Sequence, residues 1–178
     1  TAAVVYSMIH HIIITTALFV IAGLIDHASG SSSMSHVGGM VRTAPLLAAM
    51  FLVTAFSVSG IPPLSGFVSK FGLLDAGVAD GEYAIVGIGL AVSLLTLFSM
   101  VRIWIGVFWS PPDPTASGTA PKAIPRVGGP VLMVVPSIAL VVCSLVVALA
   151  AGPLYSLSER AARDLVDRDR YISKVLVP

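Results

Sequence analysis

Residues 60–71 read GIPPLSGFVSKF, and they place a helix break and a lysine inside an apolar run long enough to cross a membrane. The run covers about residues 44–76, and one straight helix of that length would exceed the ~30 Å hydrocarbon core by roughly half. Pro62 and Pro63 lack N–H donors and clash with a preceding helical turn, while Gly60 and Gly66 lower the cost of irregular backbone. We therefore predict a discontinuous helix that is broken at residues 60–66.

The composition assigns the chain to the membrane proteins. It is 56% hydrophobic and 11% charged, with a mean hydropathy of +0.97. Three further apolar runs, at about residues 3–25, 83–109 and 130–152, have the length of a membrane span. We predict an all-α polytopic membrane protein with about four transmembrane helices. The formal net charge of +1 and the lack of a basic patch in the sequence exclude a nucleic-acid-binding role.

The organisation follows from these spans. Residues 1–152 are predicted to form the membrane domain, with exposed connections at residues 26–43 and 110–129 that are rich in Ser, Gly or Pro. Residues 153–178 form a tail that we predict to be an amphipathic helix on the membrane surface or on a partner, with Ser156 and Glu159 as its capping box. A frayed, solvated tail is the alternative. The chain begins without Met, and we expect it to be a piece of a longer polytopic protein.

Lys70 follows the break by less than two helical turns. Unpaired carbonyls at membrane depth are tolerated only where they are buried in protein or line a wet cavity, and discontinuous helices with an ionisable group are how transporters build ion sites. Burial disfavours the ammonium form of a lysine, whereas a carboxylate or the negative end of a half-helix favours it. We predict a proton carrier at Lys70; a lysine that snorkels to the headgroups is the alternative.

The first span carries a short polar stripe. Ser7, His11 and Thr15 follow at i, i+4 and i+8 and therefore share one helical face. Imidazole can exchange protons near neutral pH, and hydroxyls can hold the waters that carry protons onward. We predict that these three residues belong to the proton pathway, against the alternative that His11 is only a hydrogen-bonded packing residue. His10 points about 100° away from His11, so the pair is poorly placed to bind one metal ion.

The sequence contains no Ser/His/Asp, Cys/His or His-Glu-x-x-His pattern, so we expect no covalent catalysis. Gly87-x-Gly89 lies within a span with no strand before it, and we do not interpret it as a nucleotide loop. We predict no cofactor and no metal site.

Several stretches resemble one family. They are residues 6–23 (YSMIHHIIITTALFVIAG), Gly38-Gly39, residues 60–71 and residues 99–109 (SMVRIWIGVFW). These stretches are similar to the later helices of antiporter-like membrane subunits, which Mrp-type multisubunit cation/proton antiporters share with the membrane arm of respiratory NADH:quinone oxidoreductase. The double histidine and the ending DRDRYISKVLV at residues 167–177 look most like the D subunit of Mrp antiporters.

The resemblance implies a fold of about fourteen helices with two inverted repeats, each containing a broken helix. This chain would be the C-terminal part, from the eleventh helix onward. Lys70 would match the lysine of the second broken helix, and His11 would match a histidine of the helix before it. Thr15 departs from the pattern, because family members often have lysine there.

The implied function is proton-translocating antiport of monovalent cations, with Na⁺ as the expected cation. The subunit would be multi-pass in a bacterial plasma membrane, with the lipid bilayer and other subunits of a complex as partners. The alternatives are a proton-pumping subunit of a respiratory or hydrogenase complex and a structural membrane subunit without an ion path. The Lys and Arg count places the tail in the cytoplasm and the resemblance places it outside, so the side stays open.

Overall fold

The computed structural model describes residues 2–29, 38–111 and 131–166, and these residues form helices and no strand. The elements are α1 Ala2–Ser29, α2 Met40–Thr43, α3 Pro45–Ser59, α4 Ser65–Ala79, α5 Tyr83–Trp104 with a π-helical turn Ile105–Trp109, α6 Val131–Leu149 and α7 Ala151–Val166. The predicted all-α class is confirmed.

The predicted discontinuous helix is present as α3 and α4. Helix α3 ends where Gly60 adopts a left-handed backbone, with φ of 85°, and donates its N–H to the carbonyls of Phe56 and Ser57. Helix α4 begins at Ser65, so the break covers residues 60–64. Gly66, which the sequence placed in the break, instead lies in the first turn of α4. Helix α4 also continues to Ala79, past the predicted end at residue 76.

Helix α1 is the centre of the bundle, in contact with α3, α4, α6 and α7. Its buried side chains recur at three- and four-residue intervals, which is the spacing of one helical face. They include Ala3, Tyr6, His10, Ile14, Ala17, Ile21, Leu24 and Ala28. The packing of α1 therefore places His10 in the interior beside the start of α4.

Helix α5 lies on the outside of the described bundle. None of its residues is buried, and it contacts α3 and α4. The turn between α4 and α5 is short, with Gly81 at a φ of 77°. Helix α5 thus covers one side of α4, while many of its apolar side chains stay exposed.

Two helices among the described residues are long and apolar enough to cross a membrane alone, Ala2–Ser29 and Tyr83–Trp109. A third crossing results if Met133–Leu149 and Ala151–Val166, which are bent by 81° to each other, are counted as one broken span. Helices α3 and α4 have 15 residues each, so each is shorter than a span. The predicted count of four crossings treats the α3–α4 pair as one span and α6 as another.

The regions outside the spans show three differences from the predictions. Helix α1 runs to Ser29 and α2 forms at Met40–Thr43, both within the connection predicted at residues 26–43. The amphipathic helix is present as α7, but it begins at Ala151 because Pro153 is tolerated in a first turn. Ser156 therefore lies inside α7, where its hydroxyl donates to the Pro153 carbonyl, and the predicted capping box is wrong. The remaining predictions for the connections and the tail fall outside the described residues, at positions 30–37, 112–130 and 167–178.

Candidate functional site

A small cavity of about 180 Å³ lies between α1, α4 and α5. It is lined by Ser7, His10, His11, Ser69, Lys70, Leu73, Leu74, Gly89, Val92 and Ser93. Three of the predicted pathway residues, Ser7, His11 and Lys70, therefore share one space, and Thr15 is not among the lining residues. A cavity of this size is roomy enough for several water molecules.

Lys70 is held at the helix break by a backbone carbonyl. Its Nζ donates a hydrogen bond of 3.2 Å to the carbonyl oxygen of Ser59, the last residue of α3. In a continuous helix that carbonyl would accept from the N–H four residues later, which is position 63, and Pro63 has no N–H. The lysine ammonium thus takes the place of the donor that the proline lacks.

Gly60 has two roles in this arrangement. Its left-handed φ of 85° is a conformation that residues with a side chain rarely adopt. A Cβ at this position would also lie 2.8 Å from Lys70 Cδ, which is shorter than real contacts allow. The glycine therefore both ends α3 and leaves room for the lysine stem.

A buried polar cluster, formed by His10, Ser57, Ser65 and Ser144, lies beside the cavity. His10 Nδ1 and Ser65 Oγ are 2.9 Å apart, and Ser65 Oγ and Ser57 Oγ are 3.1 Å apart. Ser144 Oγ lies 3.5 Å from both serine oxygens. The four residues come from α1, α3, α4 and α6, so the break is the place where these four helices are joined by polar groups.

The close approach of α3 and α4 makes this cluster possible. Gly66 Cα packs so tightly against the end of α3 that a Cβ there would collide with the Ser57 carbonyl oxygen, and it would also come within 3.2 Å of His10 Cε1. Packing against α3 thus requires a glycine at position 66, in the first turn of α4. The close approach places Ser65 against Ser57.

The two adjacent histidines have different surroundings. His10 is 3% exposed and hydrogen-bonded in the cluster, whereas His11 is exposed, and their rings meet edge to face with centroids 5.6 Å apart. Sequence reasoning singled out His11 and missed His10, Ser57, Ser65 and Ser144. The available signal was that His10 shares its helical face with the small residues Ala3 and Ala17, which favour close helix packing.

The chemistry of the cavity is that of bases and hydroxyls. Among its lining residues are two imidazoles, one ammonium and three serine hydroxyls, and no carboxylate. Every carboxylate among the described residues is exposed elsewhere. An ammonium without a neighbouring anion repels a metal cation, whereas amine and imidazole groups can both bind and release protons.

A sequence profile described as "NADH:quinone oxidoreductase/Mrp antiporter, TM" matches residues 1–96 of the chain. The D subunit of the Na(+)/H(+) antiporter of Alkalihalophilus pseudofirmus is 40% identical over 175 residues, which are 98% of this chain and 34% of that protein. The chain belongs to the family of NADH:quinone oxidoreductase and Mrp antiporter membrane subunits. The predicted resemblance is confirmed, and this member of the family is an integral membrane protein.

Two further relatives agree with this assignment. The D subunit of the Na(+)/H(+) antiporter of Bacillus subtilis is 36% identical over 172 residues, which are 97% of this chain and 34% of that protein. A solved structure, of the Mrp complex from Dietzia sp., superimposes with a TM-score of 0.84 at 32% identity, over 98% of this chain and 39% of the solved chain. This antiporter-family chain thus spans about a third of the length of its curated relatives.

Proposed function

We propose that the chain is part of a transporter subunit that exchanges a monovalent cation, with Na⁺ as the expected cation, for protons across a membrane. The observation that carries the proposal is the Lys70 ammonium, which is bonded to the Ser59 carbonyl at a helix break and faces a cavity with two histidines. Lys70 would be the proton carrier. His11 and Ser7 would form the adjoining hydrated relay, and Thr15 would extend the stripe on α1.

The relatives support this choice over the alternatives. The family description covers redox-driven and antiporter subunits, and the two curated relatives that match nearly the whole chain are named as sodium/proton antiporter subunits. The solved relative is part of an Mrp complex, so we propose that this subunit also works with other subunits in the bilayer. A purely structural subunit would have no need of three basic groups around one cavity.

The test is transport by the complete subunit assembled with its partner subunits. Inverted vesicles from an antiporter-deficient bacterial host would be energised to build a proton gradient, and Na⁺ would then be added. We expect Na⁺ to dissipate the gradient only when the subunit is present. Proton pumping driven by NADH or hydrogen without dependence on Na⁺ would favour the redox-complex alternative, and neither activity would favour a structural role.

Restoring backbone donors at the break should slow exchange. In the double variant Pro62→Ala with Pro63→Ala, each removed proline relieves about 3 kcal/mol of cost in a regular helix, which favours a continuous helix over the break. An N–H at position 63 would compete with Lys70 for the Ser59 carbonyl, so Pro63→Ala alone should slow exchange several-fold and Pro62→Ala should have the smaller effect. Vesicle exchange rates normalised to assembled subunit measure this. Equal rates in both single variants and the wild type would contradict it.

His11 and Thr15 offer a test of the cavity against the stripe. Both lie on the face predicted from the sequence, but only His11 lines the cavity with Lys70. We therefore expect His11→Ala to lower the exchange rate several-fold or to shift its pH optimum, and Thr15→Ala to have little effect. The pH dependence of Na⁺-driven exchange in the same vesicles decides the matter. Equal losses at the two positions would show that the whole stripe acts, with no special role for the cavity.

A further inference from the structure

His10 connects the Lys70 cavity to the buried serines. Its Nδ1 is engaged with Ser65 Oγ at 2.9 Å, and its Nε2 has no hydrogen-bond partner among the described residues. Every fully buried polar side-chain atom of the described residues has a hydrogen-bond partner. Nε2 has none, so it is not fully buried. The open space that His10 lines is the cavity that also holds Lys70. His10 is thus hydrogen-bonded to the cluster through Nδ1, and the same residue lines the cavity that holds Lys70.

The serines can accept a hydrogen bond from the imidazole. Ser65 Oγ can accept a hydrogen from Nδ1 while it donates its own hydrogen to Ser57 or Ser144, at 3.1 and 3.5 Å. A hydrogen on Nδ1 leaves the lone pair of Nε2 free on the cavity side. With the hydrogens arranged in this way, the imidazole can take up a proton from the cavity.

The charges around the cavity favour exchange of a single proton. The other titratable groups that line it are His11 on the same helix and Lys70 on α4, while α5 contributes a serine and apolar residues. Helices α3 and α6 contribute only the serines 57 and 144 to the cluster. Two cations in so small a space repel each other, so protonation of His10 is favoured when Lys70 releases its proton.

We propose that His10 is a second proton carrier of this cavity and receives the proton that Lys70 releases. A Lys70 N–H bond breaks as cavity water takes the proton, and another proton of that water forms the new bond to His10 Nε2. The result is a neutral amine and an imidazolium, so charge and atoms balance and no oxidation occurs. The inference rests on the proposed cation/proton exchange. It adds His10, which lies outside the stripe of Ser7, His11 and Thr15, as a further proton carrier.

The decisive variant is His10→Gln in the assembled complex. Glutamine can keep a hydrogen bond to Ser65 and much of the ring's volume, but it cannot carry a proton near neutral pH. We expect Na⁺-driven proton exchange in vesicles to fall at least about tenfold, as on removal of a proton-transfer group elsewhere. A packing role would instead be preserved by glutamine, and exchange would stay at the wild-type rate.

Ser65→Ala supplies a second readout. Without its acceptor at Nδ1 the imidazolium is less favoured, so the pH profile of exchange should move to lower pH. Ser137→Ala is the matched control, because Ser137 is a buried serine on the same face of α6 as Ser144. Among the described residues its hydroxyl bonds only the Met133 carbonyl of its own helix. That control should leave the profile in place.

The outcomes separate this inference from the proposed function. Wild-type exchange by His10→Gln complexes, beside a loss in Lys70→Ala complexes, would overturn the inference alone. If His10→Gln complexes fail to assemble, an unchanged pH profile in Ser65→Ala complexes would overturn it. Absence of Na⁺-driven exchange in the wild type would overturn the proposed function and this inference together.

Discussion

Replacing Lys70 by alanine is expected to abolish cation-dependent proton exchange in complexes that still assemble. The lysine is half-buried, and its single polar contact among the described residues is the Ser59 carbonyl, so its removal leaves the apolar packing of α4 in place. Ionisable groups inside membrane segments are rare, and they mark ion pathways and proton relays. Vesicle transport assays, with immunoblots of the co-purified subunits, measure both quantities.

Lys70→Arg distinguishes a titrating group from a fixed charge. Arginine keeps the positive charge and can still donate to the Ser59 carbonyl, but it does not deprotonate in proteins. We therefore expect this variant to be inactive as well. Arg102→Ala is the control, because that cation lies on the exposed surface of α5 away from the cavity. Normal exchange by Lys70→Arg complexes would show that charge alone is needed and would contradict a carrier role.

The break could be predicted because its causes are local. Pro62 and Pro63 cannot donate to Val58 and Ser59, the carbonyls four residues before them, and Gly60 readily ends a helix. The same reasoning could have placed Lys70 on the Ser59 carbonyl, since the missing donor is visible in the sequence. Gly66 was the exception. Position 66 needs a glycine because α3 packs closely against it, and this tertiary contact cannot be predicted from the local sequence.

The choice between His10 and His11 could not be made from hydropathy. Helix α1 has apolar side chains on every face, so its apolar residues do not distinguish the buried face from the exposed one. In a membrane the interior face is marked by small residues and by spacing, because lipid tails are as apolar as leucine. Ala3, Ala17 and His10 follow that spacing, whereas the Ser7, His11 and Thr15 stripe marks the edge of the cavity and a surface beyond it.

The cluster of buried serines could not be predicted from the sequence for a related reason. Ser57, Ser65 and Ser144 are separated by up to 87 residues, and each is a common helix residue that often bonds its own backbone. Ser59, Thr54 and Ser137 do this, with bonds of 2.7 Å to carbonyls four residues earlier. Only the packing of four helices at the break shows which serines turn toward one another, and so which of them belong to the site.

Gly66→Ala is expected to cause a large loss of stability. The added Cβ would collide with the Ser57 carbonyl oxygen, which is backbone held by a 3.1 Å hydrogen bond from the Gly60 N–H and cannot move without unwinding the end of α3. Helix α4 would have to move away instead, which would pull Ser65 from Ser57 and His10. Overpacking of this kind costs about 1–3 kcal/mol, and more where backbone is involved.

The matched control for that substitution is Gly152→Ala. Gly152 is the second residue of α7, as Gly66 is the second residue of α4, and a Cβ there would meet nothing within 4 Å. Alanine should then be neutral or stabilising at position 152, since it has the higher helix propensity by up to about 1 kcal/mol. We expect Gly66→Ala complexes to be poorly assembled or to melt at clearly lower temperature, and Gly152→Ala complexes to match the wild type. Equal thermal stability and normal exchange in both variants would mean that α3 and α4 do not need to touch at the break, and that the polar cluster there does not hold the site together.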